Sequence, residues 1–191
     1  MYKRQIADGA IDGTGTMTDG TYDMIILCLH QRIAIQMVQE ALPKIPAGTI
    51  LVDTCGLKGR MVRDLTYRCR KAGVRYVGTH PMAGREKNGY YASIPNLFQN
   101  ANLIVTPVDG TDEAALDTVK ELADQMGFGK IVTATPMWHD NMIAYTSQLA
   151  HVVSSSYVKD FCMDDALSFS GGSFQDLSLI HISEPTRLGM I

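Results

Sequence analysis

Apolar positions along the chain fall into two alternating patterns. Met24–Leu29 (MIILCL) is an unbroken apolar run, as expected of a strand covered on both faces. In Ile33–Leu42 the residues Ile33, Met37, Val38 and Leu42 recur at helical spacing, and Pro43 and Pro46 stop the pattern. Thr49–Asp53 (TILVD) predicts a second buried strand, and Lys58–Lys71 a helix ended by Ala72-Gly73. Val74–Pro81 (VRYVGTHP) predicts a third strand that runs into a loop, and Gly84–Gln99 is irregular. Asn102–Pro107 predicts a fourth strand. Thr111–Met126 predicts a helix with Thr111 as N-cap, Asp112 and Glu113 in its first turn and Gly127 after its last. Lys130–Pro136 predicts a fifth strand, and Trp138 to about Phe161 one long helix with no strand after it.

Strand and helix alternate through Pro136, and the chain then turns helical. That order predicts an α/β architecture: an open, doubly wound parallel sheet followed by a helical domain, with the boundary at Thr135–Met137. Ligands of such sheets sit beyond the carboxyl ends of the strands. The residues there are Leu29-His30-Gln31, Asp53-Thr54-Cys55-Gly56, Thr79-His80-Pro81, Thr106-Pro107 and Thr135-Pro136. They are small and polar, as a cofactor crevice requires and as any turn after a strand allows. No Gly-x-Gly-x-x-Gly string follows a strand; Gly13-Thr14-Gly15 follows no apolar run and reads as a loop. A dinucleotide-binding domain carries that loop on its first strand, so the first βαβ unit is expected upstream of residue 6.

His80 stands directly after a buried strand, held by the sheet and open to the crevice. An imidazole with an ordinary pKa of about 6.5 offers a neutral acceptor near pH 7. Pro81 fixes the exit direction, and Gly84 lets backbone approach a ligand. The position also suits a capping or core histidine. On the long helix, Asp140, Ala144, Ser147 and His151 fall at i, i+4, i+7 and i+11 and so share one face. A small polar stripe ending in histidine suits a pocket wall; it equally suits a solvated face.

Composition narrows the class of partner. The chain has 191 residues, 46% of them hydrophobic, with 17 Lys and Arg against 20 Asp and Glu for a net charge of −3. This is a globular composition without the basic excess of a nucleic-acid surface. The longest apolar run is far too short to cross a bilayer, and nothing at the N-terminus resembles a signal peptide. Cys28, Cys55, Cys69 and Cys162 have no metal spacing and read as reduced, mostly buried thiols of a cytoplasmic protein.

The two ends read differently from the rest. Leu177-Ser178-Leu179-Ile180 can be encoded by a string whose reverse complement encodes Tyr2-Lys3-Arg4-Gln5. The run Leu177–Arg187 (LSLIHISEPTR) resembles the translation of a transposon-end sequencing adapter. Residues 1–5 and 177–191 are therefore expected to be scars, outside fold reasoning.

DTCGLKGRM (53–61), GTHPMAGREKNGYYAS (78–93), the HD…AYTSQLAH helix (139–151) and GGSFQDL (171–177) occur in an order and spacing that resemble the prephenate dehydrogenase family of tyrosine biosynthesis. The likeness runs from about Asp23 to Asp176. It implies a partial Rossmann-like, nicotinamide-dinucleotide-binding domain over 6–136 and the start of an all-helical dimerisation domain over 137–176. It implies oxidative decarboxylation of prephenate to 4-hydroxyphenylpyruvate with reduction of NAD or NADP, by a homodimer. By position, His80 would be the catalytic histidine bonded to the substrate's ring hydroxyl. Ser147, His151 and Gly84 would bind substrate. Leu29, His30, Thr54, Cys55, Gly56 and Pro81 would bind the cofactor, with no metal. The family often has Ser where Gly56 stands and His where Gln148 stands. It has Thr-Arg after GGSFQDL, where this chain has Ser178. Arg85 reads as a solvated charge.

Two other readings are open. A related reductase acting on arogenate, an imine or a hydroxy acid would want Lys or Asn on the long helix; Asn141 is the one candidate, and the HPMAG block would go unexplained. A non-catalytic binding fragment would lose nothing on His80→Gln. Without the glycine loop and the carboxylate-binding Arg, the 191-residue chain by itself is expected not to turn over prephenate. Assay of the chain with prephenate and NAD checks this, and measurable turnover would refute it.

Overall fold

The computed structural model describes residues 2–20, 22–84, 89–158 and 171–172. In chain order the elements are α1 (Tyr2–Ala7), β1 (Met24–Leu27), α2 (Gln31–Ala41), β2 (Ile50–Asp53), α3 (Gly59–Lys71), β3 (Arg75–Pro81), β4 (Asn102–Val105), α4 (Glu113–Gln125), β5 (Lys130–Thr133) and α5 (Pro136–Ile143). A π-helical turn (Ala144–Gln148) and α6 (Leu149–Val158) follow, and two short 3-10 helices (Leu42–Lys44 and Tyr90–Ala92) lie between the earlier elements. The chain divides into two compact units, Met1–Asp140 and Asn141–Ile191. No helix among the described residues is long and apolar enough to cross a membrane.

The first unit is built on one five-stranded sheet in the order β1-β2-β3-β4-β5. Its second strand shows why the apolar runs are unbroken. Leu51 packs into a cluster with Ala34, Ile35 and Val38 of α2 and Met61, Leu65 and Cys69 of α3. Its neighbours Ile50 and Val52 pack with Val77, Ala115 and Val119, the last two from α4. Side chains alternate across a strand, so a strand with helices on both faces must be apolar at every position. The result is the expected Rossmann-like, doubly wound sheet.

The sheet is mostly parallel, with one reversal. β1, β2 and β3 run parallel, β4 runs antiparallel to β3, and β5 runs parallel to β4. β3 is shared in halves: Arg75–Gly78 pair with β2, and Thr79–Pro81 pair with β4. The carboxyl end of β4 therefore comes back to mid-height of β3. Thr106, expected at the crevice, is 1% exposed and donates its amide to the Gly78 carbonyl at 2.9 Å.

Helix ends follow local chemistry, with one shift. Gly73, at φ +74°, closes α3 in a conformation that suits glycine. The N-cap of α4 is Asp112, whose carboxylate accepts the Ala115 amide at 2.8 Å. The expected cap, Thr111, instead accepts the Val108 amide and closes the preceding turn. The expected long helix is not uniform. It starts at Pro136, and the π turn at Ala144–Gln148 adds a residue to one turn. The 3.6-residue count from Ala144 to His151 does not carry through that turn. Beyond Val158, the expected helix end near Phe161 lies outside the described residues. So do Cys162 and the 177–191 segment.

An ion pair is buried where β2 meets α3. Asp53 and Lys58 are both fully buried, and the Lys58 ammonium donates to Asp53 Oδ1 and to the Thr79 carbonyl. Asp53 also accepts the Tyr76 hydroxyl at 2.6 Å and the Cys55 amide at 2.9 Å. These bonds tie the carboxyl end of β2 to β3 and to the start of α3. A buried pair whose partner is removed leaves an uncompensated charge. Lys58→Met is expected to lower the unfolding free energy by about 3–5 kcal/mol, with the Asp53→Asn/Lys58→Met double variant less destabilised than Lys58→Met alone. Urea unfolding of the three chains measures both; a loss below about 1 kcal/mol in Lys58→Met would show that the pair does not hold this junction.

Candidate active site

His80 is the penultimate residue of β3, and its placement follows from the sheet register. Backbone pairing of His80 with Ile104 of β4 fixes the main chain and leaves the ring at the strand end. The ring edge faces Gly56 in the loop after β2. A Cβ on Gly56 would lie 3.7 Å from His80 Nε2, an ordinary contact. The other ring nitrogen, Nδ1, lies 2.8 Å from His139 Nε2, and the two rings meet edge to face. His139 Nδ1 in turn lies 2.8 Å from Asp140 Oδ1.

Asp140 anchors this arrangement to the main chain. Its Oδ1 accepts the Lys58 amide at 2.7 Å and its Oδ2 accepts the Gly59 amide at 2.8 Å. Both amides belong to the unpaired set at the start of α3, which has no side-chain cap of its own. Glycine at position 59 leaves room for this approach: a Cβ there would sit 2.9 Å from Asp140 Oδ2 and push the carboxylate aside. A carboxylate from distant sequence thus serves as the helix cap and complements its dipole.

The electrostatics favour a neutral His80. Burial is the largest influence and, with the His139 ring and the Lys58 ammonium, pushes its pKa from 6.5 down to about 4; Asp53 and Asp140 pull weakly the other way. Burial by itself would raise the Asp140 carboxyl. The Lys58 and Gly59 amides and the His139 ring outweigh it and hold that group below the ordinary value. Burial, followed by the charge of Asp53, pushes the Cys55 thiol up to about 12, so Cys55 stays protonated.

The remaining residues expected to bind cofactor line the ends of β1–β3. Leu29 is exposed, and its carbonyl accepts the Cys55 thiol at 3.3 Å. His30 precedes α2, is exposed, and caps nothing with its side chain. The Thr54 amide and hydroxyl both donate to the Leu27 carbonyl at 3.2 Å. Pro81 ends β3, and Gly84 has open space where a Cβ would be. The structure brings Leu29, Cys55, Gly56 and His80 into one neighbourhood. Arg85 lies outside the described residues. In the second unit, Ser147 sits half-buried in the π turn and His151 is buried on α6. No metal-ligand cluster occurs among the described residues. Sequence reasoning assigned no role to Asp53, Lys58, Tyr76 or His139. One signal was present: a lysine opening a helix opposes the helix dipole and so calls for a carboxylate partner.

Family models match nearly the whole chain. Residues 3–133 match "Prephenate dehydrogenase, nucleotide-binding domain", and residues 135–191 match "Prephenate dehydrogenase, dimerization domain". The chain belongs to the prephenate dehydrogenase family. Cyclohexadienyl dehydrogenase of Zymomonas mobilis is 30% identical over 171 residues, covering 85% of this chain and 57% of that protein. Prephenate dehydrogenase of Bacillus subtilis is 30% identical over 141 residues, covering 71% of this chain and 38% of that protein. The chain thus spans about half the length of the curated relatives it matches. Among solved structures, prephenate dehydrogenase of Aquifex aeolicus in complex with hydroxyphenyl propionate and NAD+ superposes with a TM-score of 0.77. It is 27% identical, and the match covers 96% of this chain and 66% of that one.

The low pKa of His80 has two measurable consequences. Its ring should titrate near pH 4 rather than 6.5, as read from its ring-proton NMR shift. Stability should change with pH in the same range, because the unfolded ring takes up a proton at its ordinary value while the folded ring resists. The stabilising contribution is complete above pH 6.5 and is lost as pH falls from 6.5 towards 4. His80→Gln should lose less stability across that window than the parent chain, as read from urea midpoints. A parent titration near 6.5 would contradict the burial argument.

Proposed function

We propose that this chain carries the nicotinamide-binding and catalytic core of an NAD- or NADP-dependent prephenate dehydrogenase. The observation that carries the reading is a neutral, half-buried imidazole at a strand end, with its Nε2 edge turned to the side-chain-free position at Gly56. Leu29, His30, Thr54, Cys55, Gly56 and Pro81 would hold the dinucleotide. The absence of a side chain at Gly56 leaves the Nε2 edge of His80 uncovered from that side, since a Cβ there would stand 3.7 Å from it. When bound, the nicotinamide accepts the hydride that leaves the substrate's carbinol carbon.

His80 accepts the proton of the ring hydroxyl at Nε2. Removing that proton as the carbon loses hydride makes the ring ketone. The carbon–carboxylate bond then breaks, its electron pair enters the ring, and carbon dioxide leaves. The phenolate so formed takes the proton back to give the phenol of 4-hydroxyphenylpyruvate. His80 must be neutral throughout substrate binding, and burial with Lys58 nearby keeps it so. Ser147, His151 and Gly84 are assigned to substrate binding, and the helical region to homodimer formation in a cytoplasmic enzyme. The family's dimerization-domain match and the Zymomonas relative's name support the assembly and the substrate class.

The test uses the protein read from the source DNA with its flanking coding sequence. It should reduce NAD or NADP on addition of prephenate; arogenate, assayed in parallel, tells the two substrates apart. His80→Asn should lower kcat by about 10²–10⁴-fold with cofactor binding retained. An unchanged rate would remove His80 from the mechanism.

A further inference from the structure

The hydrogen bonds around His80 leave little freedom in where its protons lie. The ionised Asp140 carboxylate has no proton to give, so His139 Nδ1 donates to Oδ1 across 2.8 Å. In a neutral His139 ring the lone pair is then on Nε2, which lies 2.8 Å from His80 Nδ1. His80 Nδ1 must therefore be the donor, and the His80 lone pair falls on Nε2, the edge facing Gly56. His139 is only 2% exposed, so water does not compete for these bonds.

We propose that His139 and Asp140 are positioning residues that lock His80 in its Nδ1–H tautomer and take up the charge when a substrate hydroxyl transfers its proton. The proposal rests on the reading of His80 as the proton acceptor. As the substrate O–H bond breaks, an Nε2–H bond forms on His80. The Nδ1 proton of His80 passes to His139 Nε2. His80 is then neutral again, and the positive charge rests on His139 against the Asp140 carboxylate. The substrate C–H electron pair leaves the carbinol carbon as hydride, which a bound nicotinamide would accept. Reverse transfer along the same bonds returns the proton to the phenolate.

The surrounding charges favour this direction. The Lys58 ammonium, bonded to Asp53 and to the Thr79 carbonyl, approaches His80 from the β2–α3 side and repels a cation there. On the α5 side stand His139 and Asp140, where a cation finds a carboxylate. The logic is that of a histidine oriented and charge-stabilised by an acid through its second nitrogen, here with one more imidazole in series.

Nitrogen NMR of ring-labelled histidines in the 191-residue chain reads the tautomers directly, without turnover. His80 should be protonated at Nδ1 and bare at Nε2. His139→Phe removes the acceptor and should shift His80 towards the Nε2–H form. His139→Gln, whose amide oxygen can accept the same proton, should keep Nδ1–H. An Nε2–H His80 in the parent, or an unshifted His80 in His139→Phe, would overturn the proposal. Should His139→Phe fail to fold, the parent spectrum and His139→Gln still decide. In the turnover assay, His139→Gln should lower kcat by about 10–100-fold with substrate KM little changed, because an amide cannot carry the proton onward. A full rate in His139→Gln would overturn the charge-sharing part. Failure of the underlying reading is distinct: it would appear as full turnover in His80→Asn while the tautomer pattern still held.

Discussion

The Asp140 carboxylate is the interaction on which the rest of the site depends. It reaches across 82 residues of sequence to the Lys58 amide and accepts the Gly59 amide beside it. Through Oδ1 it also meets His139, whose other ring nitrogen meets His80. One side chain thus joins the start of α3, the end of β3 and the start of α5. The approach is close: a Cβ at position 59 would lie 2.9 Å from Oδ2, and the carboxylate would have to shift to admit it.

The charges near the site are arranged so that the His80 ring carries none. Lys58 stands at the amino end of a helix, where the dipole disfavours a cation. It is stabilised there by Asp53 and the Thr79 carbonyl, and it lies within electrostatic reach of His80. Desolvation and that ammonium keep the imidazole neutral far below its ordinary pKa. Cys55, between Asp53 and Gly56, keeps its proton for the same reason of burial beside a carboxylate. At His80 the crevice therefore presents a neutral nitrogen base, near a thiol that keeps its proton. That suits the proposed reaction, in which a proton leaves the hydroxyl oxygen as a hydride leaves the carbon that bears it.

Much of this was legible in the residues themselves. The unbroken apolar run at Ile50 announced a strand covered on both faces, and Leu51 against Ile50 and Val52 shows the two covering layers. The run at Met24, expected to be covered likewise, forms an edge strand with Ile26 exposed, because one flank of β1 has no neighbouring strand among the described residues. His80 after a buried strand, with Gly56 after the neighbouring one, marked the crevice. These features depend on neighbours two to four residues away, which is the range over which a strand or helix repeats its faces. The reversed β4, the shift of the α4 cap from Thr111 to Asp112 and the π turn were not legible. Strand direction depends on how the chain crosses between β3 and β4, and a cap or an inserted turn residue depends on sub-ångström competition between adjacent groups.

The sequence by itself determined the layers of the first unit, the helical character of the chain after Pro136, and the identity of the ring at the strand end. Only the tertiary structure decided which groups stand behind that ring. His139 and Asp140 meet His80 and α3 because register and loop paths bring together residues 59 and 82 positions apart. A hydrogen bond needs its atoms placed to within a few tenths of an ångström, and no periodicity along a chain specifies distances of that kind.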